Sequence, residues 1–134
     1  MTVPRQPHEF TRMVADYMEE GLLENIVIMF QHDRSLLPMV ADLLQDPRLR
    51  VRMGAVALVE ALAESDPQGA VVIADAVTPL LRDASATIRG DAAYSVGLTG
   101  TETHQEPLRA LLDDPFADVQ EIAADALAAI AARH

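Results

Sequence analysis

The sequence predicts an all-α fold, an α-α superhelix of stacked antiparallel helix hairpins with about seven or eight helices. Three observations carry this: one segment pattern recurs three times without a gap, its apolar positions follow the helical period, and the composition suits close helix packing. Half of the 134 residues are hydrophobic but only 4% are aromatic. Ala, Leu and Val therefore dominate, which favours helices packed through small residues over a sheet built on β-branched and aromatic side chains.

The recurring segments are Leu43-Leu44-Gln45-Asp46-Pro47 with Val51-Arg52, Ala55-Val56, Leu58-Val59 and Leu62; Leu80-Leu81-Arg82-Asp83-Ala84 with Ile88-Arg89, Ala92-Ala93, Ser95-Val96 and Thr99; and Leu111-Leu112-Asp113-Asp114-Pro115 with Val119-Gln120, Ala123-Ala124, Ala126-Leu127 and Ile130. The Leu-Leu pairs begin 37 and then 31 residues apart, the length of a helix hairpin. Leu-Leu closes a first helix, which Asp-Pro or Asp-Ala ends, because Pro47 and Pro115 cannot continue it. A second helix then places apolar residues along one broad stripe. A single hairpin leaves that stripe exposed, whereas stacked hairpins bury it.

Helix boundaries follow from local chemistry. Ser65-Asp66-Pro67 reads as a cap followed by a first-turn proline. Thr103 to Glu106 reads as a capping box. Gly97 and Gly100 read as the end of the middle repeat's second helix. Pro79 should kink or split the segment 67–82. Towards the N-terminus, Phe10, Met13, Val14, Tyr17 and Met18 have helical spacing and Gly21 breaks it. Leu22 to Gln31 forms a further apolar helix before the turn at 32–35. The expected organisation is one domain: a loose tail over 1–7, a divergent N-terminal cap repeat over 8–35, and repeats over 36–64, 66–100 and 103–132.

These residues resemble HEAT repeats, most closely the short variety also found in phycobilisome-lyase-like proteins. The pattern is Leu-Leu-x-Asp-(Pro/Ala) followed by Val-Arg-x-x-Ala-Ala-x-x-Val-Gly. Leu80 to Gly100 matches best, with Ile88, Arg89, Ala92, Ala93, Val96, Gly97 and Gly100 in place, and the resemblance extends over residues 36–132. Gln120 departs from the usual Arg, and Glu60 and Ala128 from the usual Gly. The resemblance implies that Arg52 and Arg89 ion-pair with the Asp of the preceding turn, Asp46 and Asp83. It implies a protein-interaction scaffold, adaptor or accessory subunit without catalysis of its own. Its alternative implication is a lyase-like or regulatory subunit acting on a cofactor-bearing protein.

Charge narrows the partners. The net charge is −11 and no Lys occurs, which disfavours phosphate backbones and anionic membranes and suits a protein partner with a basic segment. Arg48, Arg50 and Arg52 make only a short local cluster. The absence of Cys excludes disulfides and thiolate metal sites. No signal peptide is visible and Leu22 to Phe30 is too short to span a bilayer, so the expectation is a cytoplasmic location.

No catalytic constellation stands out. His8, His32, His104 and His134 include two beside carboxylates, His8-Glu9 and His104-x-Glu106. A HEAT-like hydroxylase family builds a di-iron site from His-Glu pairs on successive repeats, but no such pair recurs in register here, so no metal or cofactor is expected. Gly-x-Ser-x-Gly is absent. Gly97-Leu98-Thr99-Gly100 lacks the basic flanks of a nucleic-acid loop. Met1, Met13, Met18, Met29, Met39 and Met53 fall mostly on apolar helix faces and read as packing. What remains is a surface: the outward positions of the second helices nominate Met53, Asp91, Tyr94, Glu121 and Asp125 as a docking strip for a helix or tail of basic character. The last helix, apolar nearly all round from Ile122 to Ala132, suggests association with another copy or a partner subunit, and Leu22 to Phe30 at the other end suggests the same, so the expectation includes a homo-oligomer through the terminal helices.

Overall fold

A computed structural model describes residues 7–134. The described residues form eight α-helices, with short 3-10 segments and no strand: α1 (Pro7–Glu19), α2 (Leu23–His32), α3 (Val40–Leu43), α4 (Leu49–Ser65), α5 (Pro67–Val77), α6 (Ala86–Thr99), α7 (Gln105–Arg109) and α8 (Ala117–Arg133). The tail expected over 1–7 lies outside the described residues up to position 6, and Pro7 opens α1.

The first helices of the three matching repeats are fragmented, for a covalent reason. Proline lacks a backbone N–H, so the chain tightens into 3-10 geometry where Pro38 and Pro79 fall, over Arg34–Met39 and Thr78–Arg82. The third repeat's first helix is likewise short, α7 carrying Pro107 between 3-10 turns at Glu102–His104 and Ala110–Asp113. The second helices α4, α6 and α8 contain no proline and run unbroken for 17, 14 and 17 residues.

Neighbouring second helices pack in one row, α2 on α4, α4 on α6, and α6 on α8, with the fragmented first helices in a second row. Val51, Ala55, Leu58, Val59 and Leu62 of α4, and Ala92, Ala93, Ser95, Val96 and Thr99 of α6, are buried between the rows. On α8 the matching stripe keeps Val119, Ala123, Ala126 and Ile130 inside, but Ala124 is exposed. The sequence pattern placed Ala124 in the core; no further described helix covers that side of α8.

Polar contacts repeat at the same interval as the fold. Arg48 bonds Asp16 across 32 residues, Arg34 bonds Asp66 across 32, Gln31 bonds Ser65 across 34 and Arg133 bonds the Gly100 carbonyl across 33. Separations of about one repeat are what stacked hairpins produce, because corresponding parts of adjacent units become neighbours.

The turn between the two helices of each of the three matching repeats uses one device. Asp46, Asp83 and Asp114 accept the N–H two residues on, at 2.9, 2.8 and 2.9 Å, an Asx turn that ends one helix and aims the next. The residue after Val51, Ile88 and Val119 then reaches back to the carbonyl of that Asp: Arg52 at 2.8 Å, Arg89 at 2.9 Å and Gln120 at 2.6 Å. The expected ion pairs Arg52–Asp46 and Arg89–Asp83 are therefore corrected. The arginines bind backbone oxygens, since the carboxylates are turned to the turn amides and, for Asp46, to Arg48. The spare edge of the Arg89 guanidinium grips Asp114 of the next repeat at 2.8 and 3.2 Å, which holds the nearly buried Asp114 carboxyl below its ordinary range. Gln120 supplies the same backward bond without charge.

Two helix ends depart from the sequence reading. Gly97 lies inside α6, and the helix ends at Gly100, whose extended backbone accepts no left-handed turn. The left-handed glycine is Gly21, φ 86°, where the Gly21 and Leu22 amides bond back to Met18 and Tyr17 and close α1. The capping box is Thr101 with His104, not Thr103 with Glu106: the Thr101 N–H donates to His104 Nδ1 at 2.9 Å. His104 is buried, its Nε2 lying 2.7 Å from Asp75 of the preceding repeat, so it ties α5 to the start of α7.

Candidate functional site: the face of the second helices

Helical spacing brings the outward residues of α4, α6 and α8 onto one face. On α6, Asp91, Tyr94 and Leu98 are three to four residues apart and share one side. Two hollows open where this side meets α8. One, of about 250 Å³, is lined by Tyr94, Leu98, Ile122, Asp125 and Ala129. The other, of about 400 Å³, is lined by Thr87, Asp91, Phe116, Asp118 and Ile122. Ile122 belongs to both and separates them.

The structure brings together some of the nominated residues. Tyr94 and Asp125 line the same hollow, and Asp91 lines its neighbour. Met53 is 63% exposed but belongs to a different recess, with Met18, Leu23, Leu49 and Gly54, where α1 and α2 meet α4. Glu121 is exposed on α8 and lines neither hollow. Of the other methionines, Met18 is buried, Met13, Met29 and Met39 are half-buried, and Met1 lies outside the described residues.

Electrostatics distinguish the acids. The Tyr94 hydroxyl donates to Glu60 of α4 at 2.8 Å, and the carboxylate raises the phenol's pKa because ionisation would set two anions together. Tyr94 is thus pinned across the α4–α6 seam while its ring stays 39% exposed. Asp91 is half-buried and makes no hydrogen bond or ion pair to any described residue. Burial pushes its carboxyl up, offset in part by the Arg52 charge. Arg89, already bonded to Asp114, lies 6.0 Å from the centre of the Phe116 ring.

Sequence reasoning missed Glu60 and Phe116. Glu60 occupies the position where the repeat pattern has Gly, so it registered as a departure instead of a partner for Tyr94. Phe116 falls in the turn before α8, outside any helical period; its signal was an isolated aromatic in a chain with few of them. The basic cluster is internally engaged: Arg48 binds Asp46 and Asp16, Arg50 the Glu19 carbonyl, and Arg52 the Asp46 carbonyl. Among the described residues no group of three or more metal-ligating side chains converges, and no helix is long and apolar enough to cross a membrane.

No family model and no curated protein matches the chain. Among solved structures it is similar to an engineered protein from the Northeast Structural Genomics Consortium, with 22% identity and a TM-score of 0.53 over 92% of this chain and 55% of that one. A designed armadillo repeat protein shares 23% identity at a TM-score of 0.47, over 72% of this chain and 47% of that one. The chain thus spans about half the length of these structures. The first likeness shows the fold alone: this is an all-helical repeat solenoid.

Proposed function

We propose that the protein is a HEAT-type interaction module without catalysis of its own, an adaptor or accessory subunit that holds a protein partner on the face of α4, α6 and α8. The observation that carries the reading is the half-buried Asp91, with no partner, beside a pinned, half-exposed Tyr94. A free monomer gains nothing from a half-buried carboxylate that no described residue bonds and that the Arg52 charge offsets only in part, whereas a basic partner segment would neutralise it. Tyr94 is the residue type that commonly anchors interfaces. The repeats over 8–35, 36–64, 66–100 and 103–132 act as one domain in this reading, and the setting is cytoplasmic.

Affinity purification of the tagged protein from its host, at low and moderate salt, tests this. A stoichiometric partner should co-elute with the unaltered chain and be lost with the double variant Tyr94→Ala, Asp91→Arg, which should keep its helical circular dichroism. Retention of every partner by that variant would rule the face out.

A second reading has its own observation. Ala124, Ala128 and Ala131 are exposed on α8, and the last two hold the register positions of Gly97 and the cap residue Gly100, which approach Ala126 and Ile130 of α8. Self-association through this face predicts a concentration-dependent mass in sedimentation, removed by Ala128→Glu; a strictly monomeric protein at high concentration counts against it.

A further inference from the structure

The hollow between the start of α6 and the start of α8 differs in chemistry from its neighbour. Its walls carry two carboxylates, Asp91 and Asp118, and an aromatic ring, Phe116, that is 56% exposed. Among the described residues no cation is bonded to either carboxylate. Arg52, whose charge reaches Asp91, donates to the Asp46 carbonyl. Arg89, the guanidinium beside Phe116, is bonded to Asp114 and to the backbone of the preceding turn. The adjoining hollow is apolar apart from Asp125 and the Tyr94 hydroxyl, and the latter is already given to Glu60.

An exposed ring face beside a half-buried carboxylate fits one side chain best. A guanidinium is planar, stacks on aromatic faces, is weakly hydrated compared with an ammonium, and presents a fork of donors to a carboxylate. The molecule contains a precedent in Arg89, which sits near the same ring while its donors bind Asp114.

Building on the interaction reading above, we propose that this hollow is a subsite for an arginine of the docked protein segment, with Asp91 and Asp118 as its counter-ions and Phe116 as its stacking surface. An apolar side chain of the same segment occupies the neighbouring hollow of Tyr94, Leu98 and Ile122. The two hollows succeed each other along α6, at Thr87–Asp91 and Tyr94–Leu98. A shift of seven residues in a helix is about 10 Å. That separation matches side chains three apart on a polyproline II segment, which returns to the same face every three residues at about 3.1 Å per residue.

The test is a titration of the isotopically labelled protein with N-acetyl-arginine methylamide, followed by amide chemical shifts. The neutral isostere N-acetyl-citrulline methylamide serves as the control. The arginine derivative should give saturable shifts confined to residues 87–91 and 116–122. It should bind about 10-fold more tightly than the citrulline derivative, because a charge-assisted bond is roughly twice as strong as a neutral one. Asp91→Asn should abolish the preference, and Phe116→Leu should weaken binding of the arginine derivative. Equal binding of the two derivatives, or shifts scattered over all surface acids, would overturn the subsite. A natural partner that is lost on Tyr94→Ala but indifferent to Asp91→Asn would also overturn it, leaving the interaction reading standing. Arginine binding in the hollow with no protein partner at this face would strike the interaction reading alone.

Discussion

The seams on either side of α6 are built differently from the same repeat position. Nine residues after Val51 stands Glu60; nine residues after Ile88 stands Gly97. At the α4–α6 seam, Glu60 holds its neighbour through a side-chain bond to Tyr94. At the α6–α8 seam, Gly97 lets the backbones meet: a Cβ added there would lie 2.8 Å from both Cα and Cβ of Ala126. Gly90 repeats this more gently, with Ile122 Cδ1 at 3.3 Å. One position thus serves as a polar brace or as a close-packing contact. The brace holds an aromatic ring at the surface, and the close contact sets α8 where its Ile122 can part the two hollows.

The largest expected effect breaks the tight seam. Gly97→Ala should destabilise by about 1–3 kcal/mol through overpacking, outweighing the roughly 1 kcal/mol that replacing a helical glycine returns. Urea denaturation checks it, and an unchanged or raised midpoint would mean that the helices are not so close. Ser95 lies on α6, between the two seams, fully buried with no partner for its hydroxyl. Ser95→Ala should therefore stabilise by about 1 kcal/mol, by removing an unsatisfied polar atom; a loss of stability would reveal a hidden acceptor.

At the braced seam, Tyr94→Phe should cost about 0.5–1 kcal/mol. A double-mutant cycle with Glu60→Gln should return a coupling of that size; two additive effects would dissolve the brace. The smallest effect concerns Asp91. Its folded-state carboxyl is raised by burial, so its charge opposes folding above the ordinary carboxylate pKa. Asp91→Asn should accordingly stabilise by a few tenths of a kcal/mol at neutral pH. The gain should fade as pH falls through the raised value and be gone below the ordinary one, where both forms are neutral. The carboxylate bonded to Arg89 has the opposite sign: the depressed Asp114 carboxyl contributes stability above the ordinary value that is lost on acidification, and Arg89→Ala should flatten that part of the profile.

Most of the fold was legible in the chain because its causes are local. The buried stripe of α4 from Val51 to Leu62 lies at the expected positions, Asp66 caps α5 through the Gly69 amide at 3.1 Å, and Pro79 marks the change from α to 3-10 geometry. The candidate site was legible in part. Periodicity gave the outward side of α6 and hence Asp91 and Tyr94, but it put Met53 in the same strip although that residue faces a recess with α1 and α2.

The sequence by itself determined the helices, their turns and their register, since proline geometry, Asx turns and a 3.6-residue period act within a few residues. Only the tertiary structure decided which charged group meets which. Arg89 grips the Asp of the following repeat, His104 reaches Asp75, Glu60 takes the Tyr94 hydroxyl, and Asp91 is left without a partner. The reason is distance in the chain. Those pairings span 25 to 34 residues, so they depend on how closely one hairpin settles on the next, and at the α6–α8 seam that closeness is set at Gly97 and Ala126, not by any local pattern.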